Sequence, residues 1–402
     1  MKTKLSPQKG PKNIAVFGAG SSVVNRFLAP TFPAIAPLYP DVRFIPLSRN
    51  HQNKDLSGFL LPSAAKAWIN TNDFLSQLSA TTSNTLILEG QTFSVDGAIL
   101  AVPTAVHYQL AKICAQKNIP VWIEKPLCLP GEIAAITDLQ AKFPDLIFAV
   151  DFFMDSPAFI FALRHLDKFL PQIGQIKKIE GRLIENWPLE PGREWLLDRS
   201  INGGGLGMDV LVHLLALISS LIDKLKIDHQ IRVTKAKKFQ YRDILGNPPP
   251  GSEETYMWIQ FFVNNLPICI DGGKGTAGHY YGLSLIGDTG SLEIFTGTDG
   301  AQAQDPYVKL SASGKADQKW LFPHGGIGYS GIFREFLQLI YHHRPNKSTY
   351  SLFDRFQATL FALKVMQQAY EIADRSPTIY PLGTTPPVPS PITLAPTLPL
   401  RK

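Results

Sequence analysis

The sequence predicts an α/β protein: an N-terminal Rossmann-type, doubly wound parallel sheet followed by a C-terminal α+β domain with a large, mainly antiparallel open sheet. Three observations predict it. Short apolar runs alternate with helix-patterned segments up to about residue 150, a glycine turn closes the first of those runs, and beyond residue 150 the runs lengthen. With 402 residues, of which 45% are hydrophobic and 18% charged, the chain exceeds the size at which a single core stops growing. Two domains are therefore expected, at 13–150 and 151–376, between a flexible N-terminus at 1–12 and a Pro-rich flexible tail at 377–402.

The first element is Ile14-Ala-Val-Phe-Gly18, a strand running into a tight turn and then a helix from Ser21 to Ala29, stopped by Pro30. Further strands are expected at 43–47, 98–102, 121–124 and 146–150. Between two of them, Val106, Leu110, Ile113 and Cys114 recur on one helical face of the 105–117 segment. In the second domain, strands are expected at 178–184, 256–263, 267–271 and 281–286, with late helices at 331–342 and 351–375. The tail carries Pro386, Pro387, Pro389, Pro391, Pro396 and Pro399, a composition that favours solvated, extended backbone.

Composition excludes several function classes. Thirty-nine Lys and Arg against 33 Asp and Glu leave +6, with no block of like charge, so no nucleic-acid partner is expected and a small-molecule substrate is. The three cysteines, Cys114, Cys128 and Cys269, sit among apolar neighbours and read as reduced core thiols of a cytoplasmic protein. Nothing near the N-terminus has the apolar length of a secretory leader. The apolar stretch 210–222 is shorter than a bilayer span and carries His213, so it reads as a buried helix and no membrane partner is expected.

Several residues stand where chemistry can be carried. Gly18, Ala19, Gly20, Ser21 and Ser22 lie at a strand-to-helix junction whose amides could hold a pyrophosphate, although Val23 replaces the third small residue of the dinucleotide fingerprint and an ordinary βα turn fits too. The second strand ends in Ser48-Arg49-Asn50 and not in a carboxylate, which favours NADP(H) over NAD(H): Arg49 can pair with a 2′-phosphate. The alternative is an Arg49 in a solvated loop. Glu124-Lys125-Pro126 closes another apolar strand, at the sheet edge where such folds place ligands; taken alone, Lys125 reads more readily as a surface lysine. Gly203-Gly204-Gly205 leads into a helix on which Asp209 and His213, four apart, share a face. That spacing predicts either a carboxylate–imidazole pair for proton transfer or a helix-surface ion pair. No third ligand accompanies it, and no metal is expected. Trp187, Arg193, Trp195 and Asp198 precede the glycines and could reach a polyhydroxylated substrate or simply pack their own loop.

The order of these motifs resembles that of the Gfo/Idh/MocA oxidoreductases, the glucose-fructose oxidoreductase and inositol dehydrogenase family. The likeness rests on the glycine turn at Gly18, on Ala101-Val-Pro-Thr-Ala-Val-His107, on Glu124-Lys125-Pro126, and on the run from Gly203 to His213. Gly174-Gln-Ile, Gly287-Asp-Thr-Gly-Ser-Leu and Ala369-Tyr370 extend it over roughly residues 13–380. The resemblance implies that Lys125 orients a substrate hydroxyl and that His213 is the general acid/base with Asp209 as its partner. It also implies that Pro103, Thr104, His107, Glu124 and Pro126 line the cofactor site, and that the chain forms a homo-oligomer, dimer or tetramer, through the C-terminal sheet. Asp151-Phe-Phe-Met154 departs from the Arg-aromatic pattern common in the family there. The function so implied is NADP-dependent hydride transfer to or from a carbinol or carbonyl carbon of a sugar, cyclitol or related metabolite. Alternatives are reduction of an imine or tetrapyrrole, with Lys125 or Tyr281 as proton donor, and a non-catalytic NADP-binding regulator. A methyltransferase fits the glycine turn but not the Lys125, Asp209 and His213 set.

Overall fold

The structure is a computed structural model that describes residues 12–18, 37–48, 69–81, 83–88, 91–185, 193–241, 253–275, 279–297, 304–323, 329–342, 350–373 and 378–380. The first domain is built on β1 (Lys12–Phe17), β2 (Val42–Ser48), β3 (Ile69–Asn70), the small hairpin β4 (Thr85–Leu88) and β5 (Gln91–Ser94), then β6 (Gly97–Leu100), β7 (Val121–Ile123) and β8 (Ile147–Ala149). Six of these pair in the order β3-β2-β1-β6-β7-β8, every pair parallel. This is the doubly wound sheet that the alternation predicts. β1 is buried along its whole length, as a parallel strand covered on both faces must be, which explains a continuous apolar run without period-two alternation. Helices α1 (Thr71–Ala80), α2 (His107–Gln116) and α3 (Ile133–Lys142) supply the crossovers within the described residues. The β4–β5 hairpin was not legible in the sequence.

The second domain opens with α4 (Pro157–Ile173) and β9 (Ile176–Glu185), followed by the short α5 (Arg199–Asn202) and the long α6 (Leu206–Lys224). Strands β10 (Ile231–Tyr241), β11 (Tyr256–Val263), β12 (Leu266–Lys274), β13 (Tyr280–Gly287), β14 (Gly290–Phe295), β15 (Tyr307–Ala312) and β16 (Gln318–Leu321) precede α7 (Tyr329–His342), α8 (Leu352–Ile372) and β17 (Thr378–Tyr380). They form a nine-stranded sheet in the order β16-β15-β14-β13-β9-β12-β11-β10-β17, antiparallel except where β9 meets β12 and β10 meets β17. One expectation needs correcting here. Thr378–Tyr380 lies inside the segment expected to be a flexible tail, yet it adds an edge strand on Phe239–Tyr241. The triplet Thr-Ile-Tyr has strand-forming side chains, and an edge position tolerates the prolines on either side of it.

Helix α6 is apolar on nearly every face because it is covered on every face: all residues from Leu206 to Ile222 are buried, between the sheet on one side and α8 on the other. The helix is long and apolar enough to cross a membrane by composition, but its apolar window lies wholly inside the fold. Helix α7 comes from the C-terminal part of the chain but covers the first domain. Its Ile332, Phe333, Phe336, Leu337 and Ile340 pack on Ile14, Val16, Phe44, Ile99, Trp122 and Phe148 of the parallel sheet. Phe336 meets Trp122 edge-on at 5.6 Å between ring centroids, and Phe333 stacks on Phe44 at 5.8 Å. Arg355 of α8, 1% exposed, makes a two-pronged contact with Asp155 at 2.8 Å and a further one with Glu335 of α7 at 2.8 Å. A buried guanidinium is tolerable only when carboxylates meet it, so this triad locks α7, α8 and the turn after β8 into one arrangement.

Because Phe336 closes the apolar seam between α7 and the parallel sheet, Phe336→Ala is expected to destabilise the protein by about 3–5 kcal/mol. Chemical denaturation would show this as a lower unfolding midpoint, with a first transition reporting the Trp122 environment.

Candidate active site

The site lies where the carboxyl ends of β7 and β8 meet the first two turns of α6. Lys125 follows β7 directly, at a Lys125-Pro126 peptide bond that is cis. Its ammonium donates to the Asp209 carbonyl oxygen at 2.7 Å and to Asp209 Oδ1 at 2.5 Å. The other carboxylate oxygen, Oδ2, lies 3.6 Å from Lys274 at the end of β12. Lys274 in turn pairs with Glu185 at 3.1 Å, its register partner across the parallel β9–β12 ladder. Tyr281 donates its hydroxyl to the second Glu185 oxygen at 2.9 Å. Burial alone would push the Asp209 carboxyl up; Lys125 and Lys274 outweigh it and, with Arg193 nearby, hold it far below the usual carboxylate range. Lys274 is likewise subject to burial, which would lower its pKa, but Asp209 and Glu185 raise it above the ordinary lysine value. Asp209 and Lys274 therefore stay charged at neutral pH.

The expected Asp209–His213 pair is not formed. Both residues do face the same side of α6, but Asp209 is taken by the two lysines, and His213 pairs with Asp151, its Nδ1 lying 2.9 Å from Oδ1. Asp151 directly follows the residue after β8, in the position that Lys125 occupies relative to β7. The imidazole is also held between rings, with Phe152 at 4.7 Å and Phe153 at 4.6 Å. Both partners are nearly excluded from water, Asp151 at 1% and His213 at 4% exposure.

Other predicted residues find different settings. Gly18 has φ +76, and a Cβ there would lie 2.1 Å from the Ala101 carbonyl oxygen, so only glycine lets the end of β1 lie against the loop after β6. That close backbone approach suits a dinucleotide turn. Ala19, Gly20, Ser21, Ser22, Val23, Arg49 and Trp187 lie outside the described residues, as does the side chain of Ser48. Pro103 precedes a short turn at Thr104–Val106. Thr104 is buried and its hydroxyl donates to Asn202 of the second domain at 3.4 Å. His107 is 1% exposed, with Nδ1 2.9 Å from the Pro126 carbonyl and Nε2 2.8 Å from that of Val102. Burial lowers its pKa despite these carbonyls. It ties the Val102 loop to the Lys125-Pro126 turn. Glu124 accepts from the Trp122 indole at 2.9 Å, and burial pushes its pKa up to about 7. Trp195 is half-buried against Leu196, Leu197 and Leu206, and Asp198 caps α5 through the Ser200 amide, so both serve their own loop.

Comparison with known proteins fits this geometry. Residues 41–147 match the family model described as "Oxidoreductase family, NAD-binding Rossmann fold", that of Gfo/Idh/MocA. Over that stretch the chain is similar to the Gfo/Idh/MocA oxidoreductases. A candidate UDP-kanosamine synthase oxidoreductase subunit of Amycolatopsis mediterranei is 25% identical over 140 residues, 35% of this chain; the chain thus matches 38% of that relative's length. Among solved structures, the 3-ketoreductase KijD10 of Actinomadura kijaniata, bound to NADP and TDP-benzene, superposes with a TM-score of 0.65 at 14% identity, over 92% of this chain and 100% of its own. The aldose-aldose oxidoreductase of Caulobacter crescentus, bound to glycerol, gives 0.65 at 15% identity, over 90% and 97%. At these identities the likeness is one of fold, and it extends through both domains.

What holds the candidate site in place is a buried support that sequence reasoning missed. Helix α6 begins at a triple-glycine turn whose first amides need acceptors. Glu254, fully buried, accepts from the Gly205 amide at 3.2 Å and the Gly207 amide at 3.1 Å, while Tyr370 of α8 donates its hydroxyl to the same oxygen at 2.5 Å. A Cβ at Gly204 would lie 2.1 Å from the Tyr370 hydroxyl, which is why glycine stands there. Glu185 and Lys274 were missed as well, because each is an ordinary strand-end charge until the register pairs them. Asp151 had a signal: a lone acid after an apolar parallel strand, at the sheet edge that binds ligands.

Burial pushes the Glu254 carboxyl up from 4.5 to about 7. The folded state therefore keeps a proton that the unfolded chain has released, and stability declines as pH rises between those two values and is level above them. Glu254→Gln has no such group. Its melting temperature relative to the parent is expected to rise by about 2–4 °C between pH 4.5 and pH 7.5, measured by thermal unfolding at each pH.

Proposed function

We propose that this chain is an NADP-dependent oxidoreductase transferring hydride between nicotinamide C4 and a carbinol or carbonyl carbon of a sugar or related small metabolite. The observation that carries this reading is the state of Lys125. An ammonium has three N–H donors, and Asp209 takes two of them. The third has no acceptor among the described residues and is available to a substrate oxygen. Held this way, Lys125 stabilises negative charge developing on that oxygen, and Asp209 keeps it positive and correctly aimed. His213, one helical turn on, takes the hydroxyl proton through Nε2 as the alcohol is oxidised and returns it in the reverse direction. The nicotinamide, when bound, accepts or supplies the hydride. Gly18 and its turn, the Ser48–Arg49 end of β2, Pro103 and Pro126 are the residues that would hold the cofactor.

The substrate class draws on the ketoreductase and aldose oxidoreductase likeness and on the sugar-nucleotide relative of the first domain; NADP draws on Arg49 and on the NADP bound by KijD10. The Tyr281 hydroxyl, bonded to Glu185, does not favour the imine or tetrapyrrole alternative. The reading also takes the protein as a cytoplasmic homo-oligomer, dimer or tetramer, joined through the nine-stranded sheet.

Fluorescence titration with NADPH and NADH tests the cofactor. NADPH is expected to bind more tightly, with its affinity falling at least about tenfold in Arg49→Ala, the loss of one charge-assisted contact of about 1.5–3 kcal/mol; binding of neither nucleotide would refute the reading. Against a panel of aldoses, cyclitols and sugar nucleotides, His213→Ala is expected to lower turnover by about 10²–10⁴ while leaving NADPH binding intact. A regulator on the same fold would bind NADPH and turn over nothing.

A further inference from the structure

We propose that Asp151 is the positioning residue of His213: it fixes the imidazole in the tautomer with the proton on Nδ1, so that the Nε2 lone pair faces the substrate. The inference rests on the reading of His213 as the proton-transfer group, and it replaces Asp209 in the role that its helix spacing suggested.

The argument is one of donors and acceptors. Asp151 Oδ1 accepts the Phe153 amide hydrogen at 3.1 Å, so it is an acceptor at this site. His213 Nδ1 lies 2.9 Å from the same oxygen. A carboxylate oxygen has no hydrogen to give, so with Asp151 in its carboxylate form both groups that meet on Oδ1 are donors and Nδ1 carries the hydrogen. In the neutral ring Nε2 is then unprotonated, the only form in which it can take a proton from an alcohol. Among the described residues Nε2 has no hydrogen-bond partner. The second Asp151 oxygen, Oδ2, is buried without a partner. Asp151 lines a cavity of about 10 Å³ together with Lys125, Pro126, Leu127 and Val212, about the least that holds one water.

The same tripeptide that supplies the carboxylate also supplies the walls. Asp151 caps the turn Phe152–Asp155, and the two phenylalanines that follow it flank the imidazole. Phe152 is backed by Tyr329 of α7 at 4.9 Å, and Phe153 by Tyr281 at 5.6 Å, so neither ring is free to swing away. His213 is thus fixed in plane by the rings and in protonation pattern by the acid. The charged neighbours of this pair are Lys125, which borders the same cavity, and Glu124, whose pKa Asp151 raises across the edge of the sheet.

The test reads the free protein and needs no substrate. In protein labelled with ¹⁵N-histidine, with the His213 signals assigned by their loss in His213→Ala, two-bond proton–nitrogen correlation at a pH where the ring is neutral reports which nitrogen carries the proton. The wild type is expected to show Nδ1 protonated and Nε2 bare. Asp151→Ser keeps a hydroxyl to cap the turn but is too short to reach the ring, and is expected to reduce the Nδ1–H form to a minority. Asp151→Asn keeps an acceptor oxygen at the same reach and is expected to restore the wild-type pattern. Nε2 protonated in the wild type, or an unchanged pattern in Asp151→Ser, overturns the proposal; the wild-type spectrum does so by itself if the serine variant does not fold. A failed NADPH titration would sink the oxidoreductase reading and leave this measurement standing, so the two failures are told apart.

Discussion

A carboxylate nearly excluded from water remains an anion only if cations come to it, and Asp209 brings them from both domains. Lys125 arrives from the end of a parallel strand of the first domain, Lys274 from the end of a strand in the second sheet. An ion chain of this kind is poor evidence for stability, since desolvation offsets much of the attraction. Its value is directional. Removing either lysine leaves a buried charge under-compensated, so any arrangement of the domains that does not bring the ends of β7 and β12 together on α6 is penalised. The cleft is thereby fixed at the one place where three elements already converge.

The rest of the architecture serves that convergence. Helix α6 must enter at the correct height to place Asp209 between the lysines, and its entry is set by Glu254 and Tyr370 holding the glycine turn. Tyr370 belongs to α8, which also carries Arg355, and Arg355 grips both α7 and the turn that bears Asp151 through Asp155 and Glu335. Through α7, whose aromatic face closes the parallel sheet, the C-terminal helices are part of the first domain's core. The division at residue 150 is therefore a division of the chain more than of the packing.

Fold class was legible in the sequence because its signals are local: alternating apolar runs, a glycine turn after the first, and a long apolar segment too short and too polar at His213 to be a span. The Gly18 turn and Lys125 were readable because each sits next to its own strand. The partnerships were not. Spacing put Asp209 and His213 on one face, which is true, but a shared face fixes only where side chains start. Which acid meets which base was decided by residues 62 and 84 positions away, Asp151 and Lys125. Lys274 and Glu185 are joined only by strand register, and Glu254 reaches α6 from the start of another strand. Long-range pairing of this kind has no periodicity to read.

The exchange of partners matters chemically. Had Asp209 served both the lysine and the histidine, one carboxylate would have had to balance an ammonium and an imidazolium, and each protonation of the histidine would have weakened the hold on Lys125. With Asp209 committed to the lysines and Asp151 to His213, the two basic groups have separate counter-ions, so on the proposed reading the group that would steady charge on the substrate oxygen and the group that would carry the proton are held independently. The proton can move on and off His213 while the Lys125–Asp209 pair keeps its geometry. On the proposed reading, such independence would keep preorganised positive charge at the substrate oxygen in both directions of proton transfer.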